Sequence, residues 1–187
     1  MRLSRLITTG IVMLCLATGG ALAETDKAAK QAEIHKATQA ALEKFYKAKP
    51  ALKGEVAKAP GYAVFTTYGL SFVIGGAGGK GVVRDARTKK DTFMEMAQAS
   101  AGLQAGIAEN ETLIVFKNTK ALEQFVEKGW EYTGGGAASA GVAGKSAGAG
   151  SAESAPGGSS YYTLTRNGLQ IGGALAGTKF WKDKELN

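Results

Sequence analysis

Residues 62–86, YAVFTTYGLSFVIGGAGGKGVVRDA, decide the fold. Tyr62 to Tyr68 mixes aromatic and β-branched residues, the composition of a strand. Leu70 to Ile74 reads as a second strand, running into the series Gly75-Gly76-Ala77-Gly78-Gly79-Lys80-Gly81. Val82 to Ala86 continues as strand. The glycines between are expected to line a strand corner, because close approach of two backbones needs positions without a Cβ.

Downstream, Thr88-Lys89-Lys90-Asp91 is a turn and Thr92 to Gln98 alternates as a strand does. Ser100 to Ala108 reads as a strand of small residues, ended by a turn at Glu109-Asn110. Leu113 to Phe116 is wholly apolar, so both its faces should be covered. Asn118 to Trp130 returns to helix, with Asn118 as cap, Leu122, Phe125, Val126 and Trp130 on one side, and Gly129 near its end. Gly134 to Gly158 is almost all Gly, Ala and Ser, a linker composition. Tyr161 to Arg166 and Leu169 to Ala176 then form a hairpin around Asn167-Gly168. The end of the chain combines Phe180 and Trp181 with Lys179, Lys182 and Lys184.

Upstream, Glu24 to Lys49 is a helix: it is rich in Ala, Lys, Glu and Gln, without Gly or Pro before Pro50. Ile34, Ala37, Ala41, Phe45 and Ala48, with Leu42 beside them, make an apolar stripe rimmed by lysines. Ala51 to Lys58 is a second helix, closed by Pro60-Gly61. The resulting class is α+β: a curled, barrel-like antiparallel sheet with Gly/Ala-rich strands and packed helices.

Residues 1–23 have the anatomy of a secretory signal peptide. Arg2 and Arg5 precede the apolar run Leu6–Leu16, and Ala21-Leu22-Ala23 is a small-residue cleavage site. The expected mature chain, residues 24–187, is one domain with an N-terminal helical region at 24–59. The expected location is periplasmic or peripheral to the outer membrane. A lipid anchor at Cys15 is disfavoured, since Leu14 and Leu16 flank it inside the apolar run.

The inventory removes several chemistries. Cys15 is the single cysteine and His35 the single histidine among 187 residues. Thiolate catalysis, cysteine or multi-histidine metal sites, and Ser-His-Asp triads therefore lack material. Gly76-Ala77-Gly78-Gly79-Lys80-Gly81 matches a dinucleotide fingerprint in letters, but strand-like Val82-Val83-Arg84 follows where a helix is required. Gly144-Lys145-Ser146 resembles the close of a phosphate loop, yet Ser139 stands where its first glycine belongs. The carboxylates have no spacing that forces a catalytic pair. No catalytic residue, metal ligand or cofactor is expected, and the protein is read as no enzyme.

The net charge of +7 is carried in clusters. Lys80, Arg84, Arg87, Lys89 and Lys90 are the candidate anion-binding residues, with Lys27, Lys30 and Lys36 of the N-terminal helix second. Two pictures of that helix compete: an interfacial helix, or one that packs its stripe on the sheet and solvates its lysines. Nucleic acid is a poor partner for an exported chain of modest charge.

The order Gly61-Tyr62-Ala63-Val64-Phe65, then Val73-Ile74-Gly75-Gly76-Ala77-Gly78-Gly79-Lys80-Gly81-Val82, resembles the opening of the SYLF domain family. Ala101-Gly102-Leu103-Gln104-Ala105-Gly106, Leu113–Phe116 and Ala121-Leu122-Glu123-Gln124-Phe125 resemble its middle. Tyr161-Tyr162, Gly168-Leu169 and Lys184-Glu185-Leu186-Asn187 resemble its close. The resemblance spans about residues 35 to 187 and implies a phospholipid-binding module. One eukaryotic group of the family binds membranes through an amphipathic N-terminal helix, which Lys27–Lys49 resembles in place and character. The function expected is non-enzymatic binding of anionic phospholipid at a membrane surface of the bacterial envelope. Phe45, Leu42, Phe180 or Trp181 would insert at the lipid boundary; an acyl groove between Gly/Ala strands is the other arrangement. The alternative function is a structural or assembly protein of the envelope whose basic face binds a protein or glycan.

Overall fold

The computed structural model describes residues 18–67, 76–99, 110–133, 137–138, 156–165, 168–171 and 178–187. The strands expected at Leu70–Ile74 and Ser100–Ala108, and most of Gly134–Gly158, lie outside the described residues. Helices α1 (Thr18–Ala48) and α2 (Ala51–Lys58) come first. Strands β1 (Gly61–Thr67), β2 (Gly76–Asp85), β3 (Asp91–Ala99) and β4 (Glu111–Phe116) follow, then helix α3 (Thr119–Lys128). After it come β5 (Trp130–Thr133), β6 (Ala137–Ala138), a 3₁₀ turn (Pro156–Gly158), β7 (Ser160–Thr165), β8 (Gly168–Ile171) and β9 (Thr178–Lys182). Helix α1 begins at Thr18 and so runs through the expected cleavage point after Ala23.

The strands form one nine-stranded sheet in the order β6-β5-β9-β3-β2-β1-β4-β7-β8, antiparallel at every pairing and curled into a half-barrel. Strand alternation divides the core in two. On one face Phe65, Phe116 and Phe180 pack with Phe125 of α3 and with Trp130. The rings of Phe125 and Trp130 are 4.6 Å apart and edge-on, and those of Phe65 and Phe180 are 4.9 Å apart. On the other face Ala41 and Phe45 of α1, with Leu52 and Val56 of α2, cover Val64, Leu113, Val115 and Tyr162. β4 is buried from Thr112 to Phe116, as its unbroken apolar run requires. Asn118 caps α3, its side chain accepting from the Ala121 amide at 2.8 Å.

Three local readings differ from the structure. Helix α3 ends at Lys128, and Trp130, expected to close it, opens strand β5. From Gly76 to Gly81 the glycine series belongs to strand β2 itself, with Gly79 opposite both Thr67 and Met96. A Cβ on Gly81 would lie 2.4 Å from the Val64 carbonyl oxygen and from Phe65 Cδ1, so the close approach is between paired strands. The hairpin of β7 and β8 closes at Thr165 opposite Gly168, one residue earlier than Asn167-Gly168 implies. That register sets Leu164 opposite Leu169, an apolar cross-strand pair.

Candidate functional site

Lys80 and Arg84 leave β2 on the face covered by α1, on either side of buried Val82. Neither points freely to solvent. Lys80 Nζ donates to Asp183 Oδ2 at 2.8 Å and lies 3.2 Å from Glu95 Oε1. Glu95 also accepts from the Trp181 indole at 2.7 Å. Arg84 grips the Asp91 carboxylate with two nitrogens, its Nη2 at 2.8 Å from Oδ2. His35 stands at the same carboxylate, 3.5 Å away, with its ring edge-on to Phe93. Burial alone would push the Asp183 carboxyl up. The Lys80 ammonium and the amides of Leu186 and Glu185 outweigh it and hold the group below its ordinary value. Burial likewise works against the Lys80 ammonium, and hydrogen bonds to Asp183 and Glu95 still leave its pKa raised.

Arg87, Lys89 and Lys90 stand apart from these two, in the turn that joins β2 to β3. The turn folds because Asp85 faces inward: its Oδ1 accepts from the amides of Arg87 at 2.8 Å and Thr88 at 2.9 Å. The Thr88 amide above all, then the Arg87 amide, the Thr88 side chain and the Arg87 charge, hold its carboxyl low against what burial there is. Lys89 takes φ 59° to complete the reversal. All three cations are exposed, and among the described residues none has a salt bridge. The turn is fastened to the link between α2 and β1, since the Ala86 amide donates to the Pro60 carbonyl at 2.9 Å. Exposed Lys58 ends α2 two residues before Pro60, which brings its backbone near this rim. Sequence reasoning missed Lys58. The signal for it was the pairing of Gly61 with Asp85, which brings the approach to β1 beside the exit from β2. On the other face, Lys90 borders a cleft of about 120 Å³ shared with Leu122, Val126 and the acids Glu123 and Glu127 of α3.

The lysines of α1 have mixed settings. Lys27 Nζ donates to the Asn187 carbonyl at 3.0 Å. Lys30 pairs with Asp26 at 2.7 Å, a bond that raises its pKa, and Lys36 is exposed. The stripe of this helix is packed on the sheet: Ile34, Ala41 and Phe45 are all buried. Phe45 and Phe180, expected to meet lipid, are core residues at 0% and 1% exposure. Their neighbours explain the correction. Phe45 closes the cluster under α1, and Phe180 stacks among Phe65 and Phe125. Leu42 is half-buried, and Trp181 is anchored on Glu95.

Among the described residues, no group of three or more His, Cys, Asp or Glu is placed to hold a metal ion. None of the described helices is long and apolar enough to cross a membrane.

Comparison with known proteins bears on this arrangement. Residues 97–187 match the family model described as Ysc84: Las17-binding protein actin regulator. The chain is also 35% identical over 167 residues to Beta cell expansion factor A of Aeromonas veronii, an alignment covering 86% of this chain. It spans 60% of the length of that curated relative. With the curled antiparallel sheet and its packed helices, the match over residues 97–187 supports a SYLF-domain family protein.

Proposed function

We propose that the protein binds anionic phospholipid at a membrane of the bacterial cell envelope, without catalysis. The match to the SYLF-domain family is in keeping with association with lipid and with a non-catalytic role. The observation that carries the reading is the rim formed by Lys58, Arg87, Lys89 and Lys90. These cations are exposed and, among the described residues, without a salt bridge, while Asp85 of their turn accepts from two backbone amides. Each such charge gains roughly 1 kcal/mol near an anionic surface, within a Debye length of about 10 Å in 0.1 M salt. Lys80 and Arg84, engaged with Asp183, Glu95 and Asp91, position the hairpin that presents the rim. Residues 1–23 serve as an export signal in this reading, and residues 24–187 as one domain. The bond from Lys27 to Asn187 supports the second point.

A rival reading comes from the matched family's description, which names a protein partner. In it the rim meets an acidic protein or glycan of the envelope, and lipid affinity is incidental. Co-sedimentation with vesicles, with and without phosphatidylglycerol and at low and high salt, separates the two. The lipid reading expects binding only to anionic vesicles, reversed by salt. Absence of binding in all four conditions sinks it and moves the search to co-purifying partners.

A further inference from the structure

Residues 183–187 are built against α1 in a way that the sheet does not require. The Asp183 amide donates to the Phe93 carbonyl at 3.1 Å, just beyond the last β3–β9 pair, Met94 with Lys182. The Asn187 side chain then takes the place of a further strand residue. Its Oδ1 accepts from the Phe93 amide at 3.0 Å, and its Nδ2 donates to the Phe93 carbonyl at 2.8 Å. Between these anchors Asp183 Oδ1 accepts the amides of Glu185 and Leu186, so the segment turns back on itself. Leu186, 2% exposed, is driven into a small cluster with Val82, Phe93 and Ile34 of α1. Two side chains of α1 close over it. Gln31 Nε2 donates to the Leu186 carbonyl at 2.7 Å, and Lys27 Nζ to that of Asn187.

The two halves of α1 are held differently. Ala41 and Phe45 are sealed in the apolar cluster with α2 and the sheet. Between residues 24 and 36, Ile34 is the one buried side chain, with Leu186 among its partners, and His35 adds its edge-on contact with Phe93 and its approach to Asp91. At the boundary, Thr38 Oγ1 donates back to the carbonyls of Ile34 at 2.8 Å and His35 at 3.1 Å. Such back-bonding weakens and bends a helix.

We infer that residues 183–187 are a clasp that keeps the first half of α1, residues 24–36, docked, and so withholds its inner face from a membrane. Release at the clasp frees an arm carrying Lys27, Lys30, Ile34 and Lys36, hinged near Thr38, while residues 41–48 stay packed. The inference rests on the phospholipid reading above for what the arm would meet.

The test uses the full chain with Leu186→Ser, and with Asn187→Ala as the milder variant should the first fail to fold. Amide hydrogen exchange is expected to accelerate about tenfold or more at residues 27–36 and to change little at 41–48. Binding to vesicles of phosphatidylglycerol and phosphatidylcholine in equal parts is expected to tighten about tenfold, because the freed arm adds basic and apolar contacts. Unchanged exchange at 27–36, or equal acceleration of both halves, overturns the clasp. So does localised acceleration with vesicle affinity unmoved, in which case the lipid reading stands alone. If neither wild type nor variants bind these vesicles, the lipid reading falls and takes the role of the arm with it.

Discussion

Lys80 and Arg84 belong to the same β2–β3 hairpin as Arg87, Lys89 and Lys90, and the two sets do different work. The strand pair faces α1 and is engaged by Asp183, Glu95 and Asp91. The turn set is exposed, beside an acid whose Oδ1 accepts from two backbone amides. Equal charges in sequence thus become internal fasteners at one end of a hairpin and a free rim at the other. The lesson is that strand register decides which charges are paired and which stay exposed.

The largest effect expected comes from the backbone that delivers Lys80. Gly81→Ala would force a Cβ to within 2.4 Å of the Val64 carbonyl oxygen, so strands β1 and β2 must part. A loss of about 3 kcal/mol of folding stability is expected, the upper range for overpacking, read from a urea unfolding midpoint. A near-neutral variant would show that the pairing is looser than described and would weaken the separation between strand and turn cations.

Replacing Arg87, Lys89 and Lys90 together by Ser should reduce binding to anionic vesicles about 100-fold at low salt, at roughly 1 kcal/mol per charge. Folding stability should stay within about 0.5 kcal/mol, since the substituted side chains are exposed and away from the core. The same replacement of Lys80 and Arg84 should reverse the pattern, costing stability more than affinity. Vesicle titration paired with urea unfolding of both variants reads the comparison directly, and matching profiles for the two would break it.

Asp183→Ala removes one of the two acids at Lys80 and the acceptor for two amides of the clasp. About 2 kcal/mol of stability should be lost, because Lys80 is partly exposed and water replaces some of the bond. If the clasp acts as inferred, this variant loses stability and gains vesicle affinity.

Much of this architecture could be read from local sequence. Helix α2 matches its expected bounds, and β4 was identifiable because an unbroken apolar run of that length must be covered on both faces. Asn118 followed by an apolar periodicity announced the cap of α3. What escaped was long-range. β9 carries Phe180 into the aromatic core, but a short strand with lysines on both sides of an aromatic pair has no signature of burial. The clasp joins Lys27 and Gln31 to residues over 150 positions away, and no local pattern encodes that meeting. The candidate site was half legible for the same reason. Arg87, Lys89 and Lys90 follow from the turn itself, whereas the pairing of Lys80 and Arg84 depends on which acids the register and the chain end bring opposite them.

The smallest effect expected is the dependence on pH, and its sign follows from the two shifts at the clasp. The Asp183 pKa is lowered from 3.8, so its contribution to stability is fully present above that value and is lost as pH falls through the folded-state pKa. The Lys80 pKa is raised from 10.5, so its contribution is fully present below that value and is lost as pH rises through the folded-state pKa. Between about pH 5 and 9 both groups keep their charges, and the stability gap between wild type and Asp183→Asn should be flat. Below pH 3.8 the gap should narrow as Asp183 takes up a proton. Urea unfolding across pH for the two proteins checks this. A gap that changed near neutrality would mean that a group other than the Lys80–Asp183 pair governs the clasp, and the strand cations would then need another account of what they fasten.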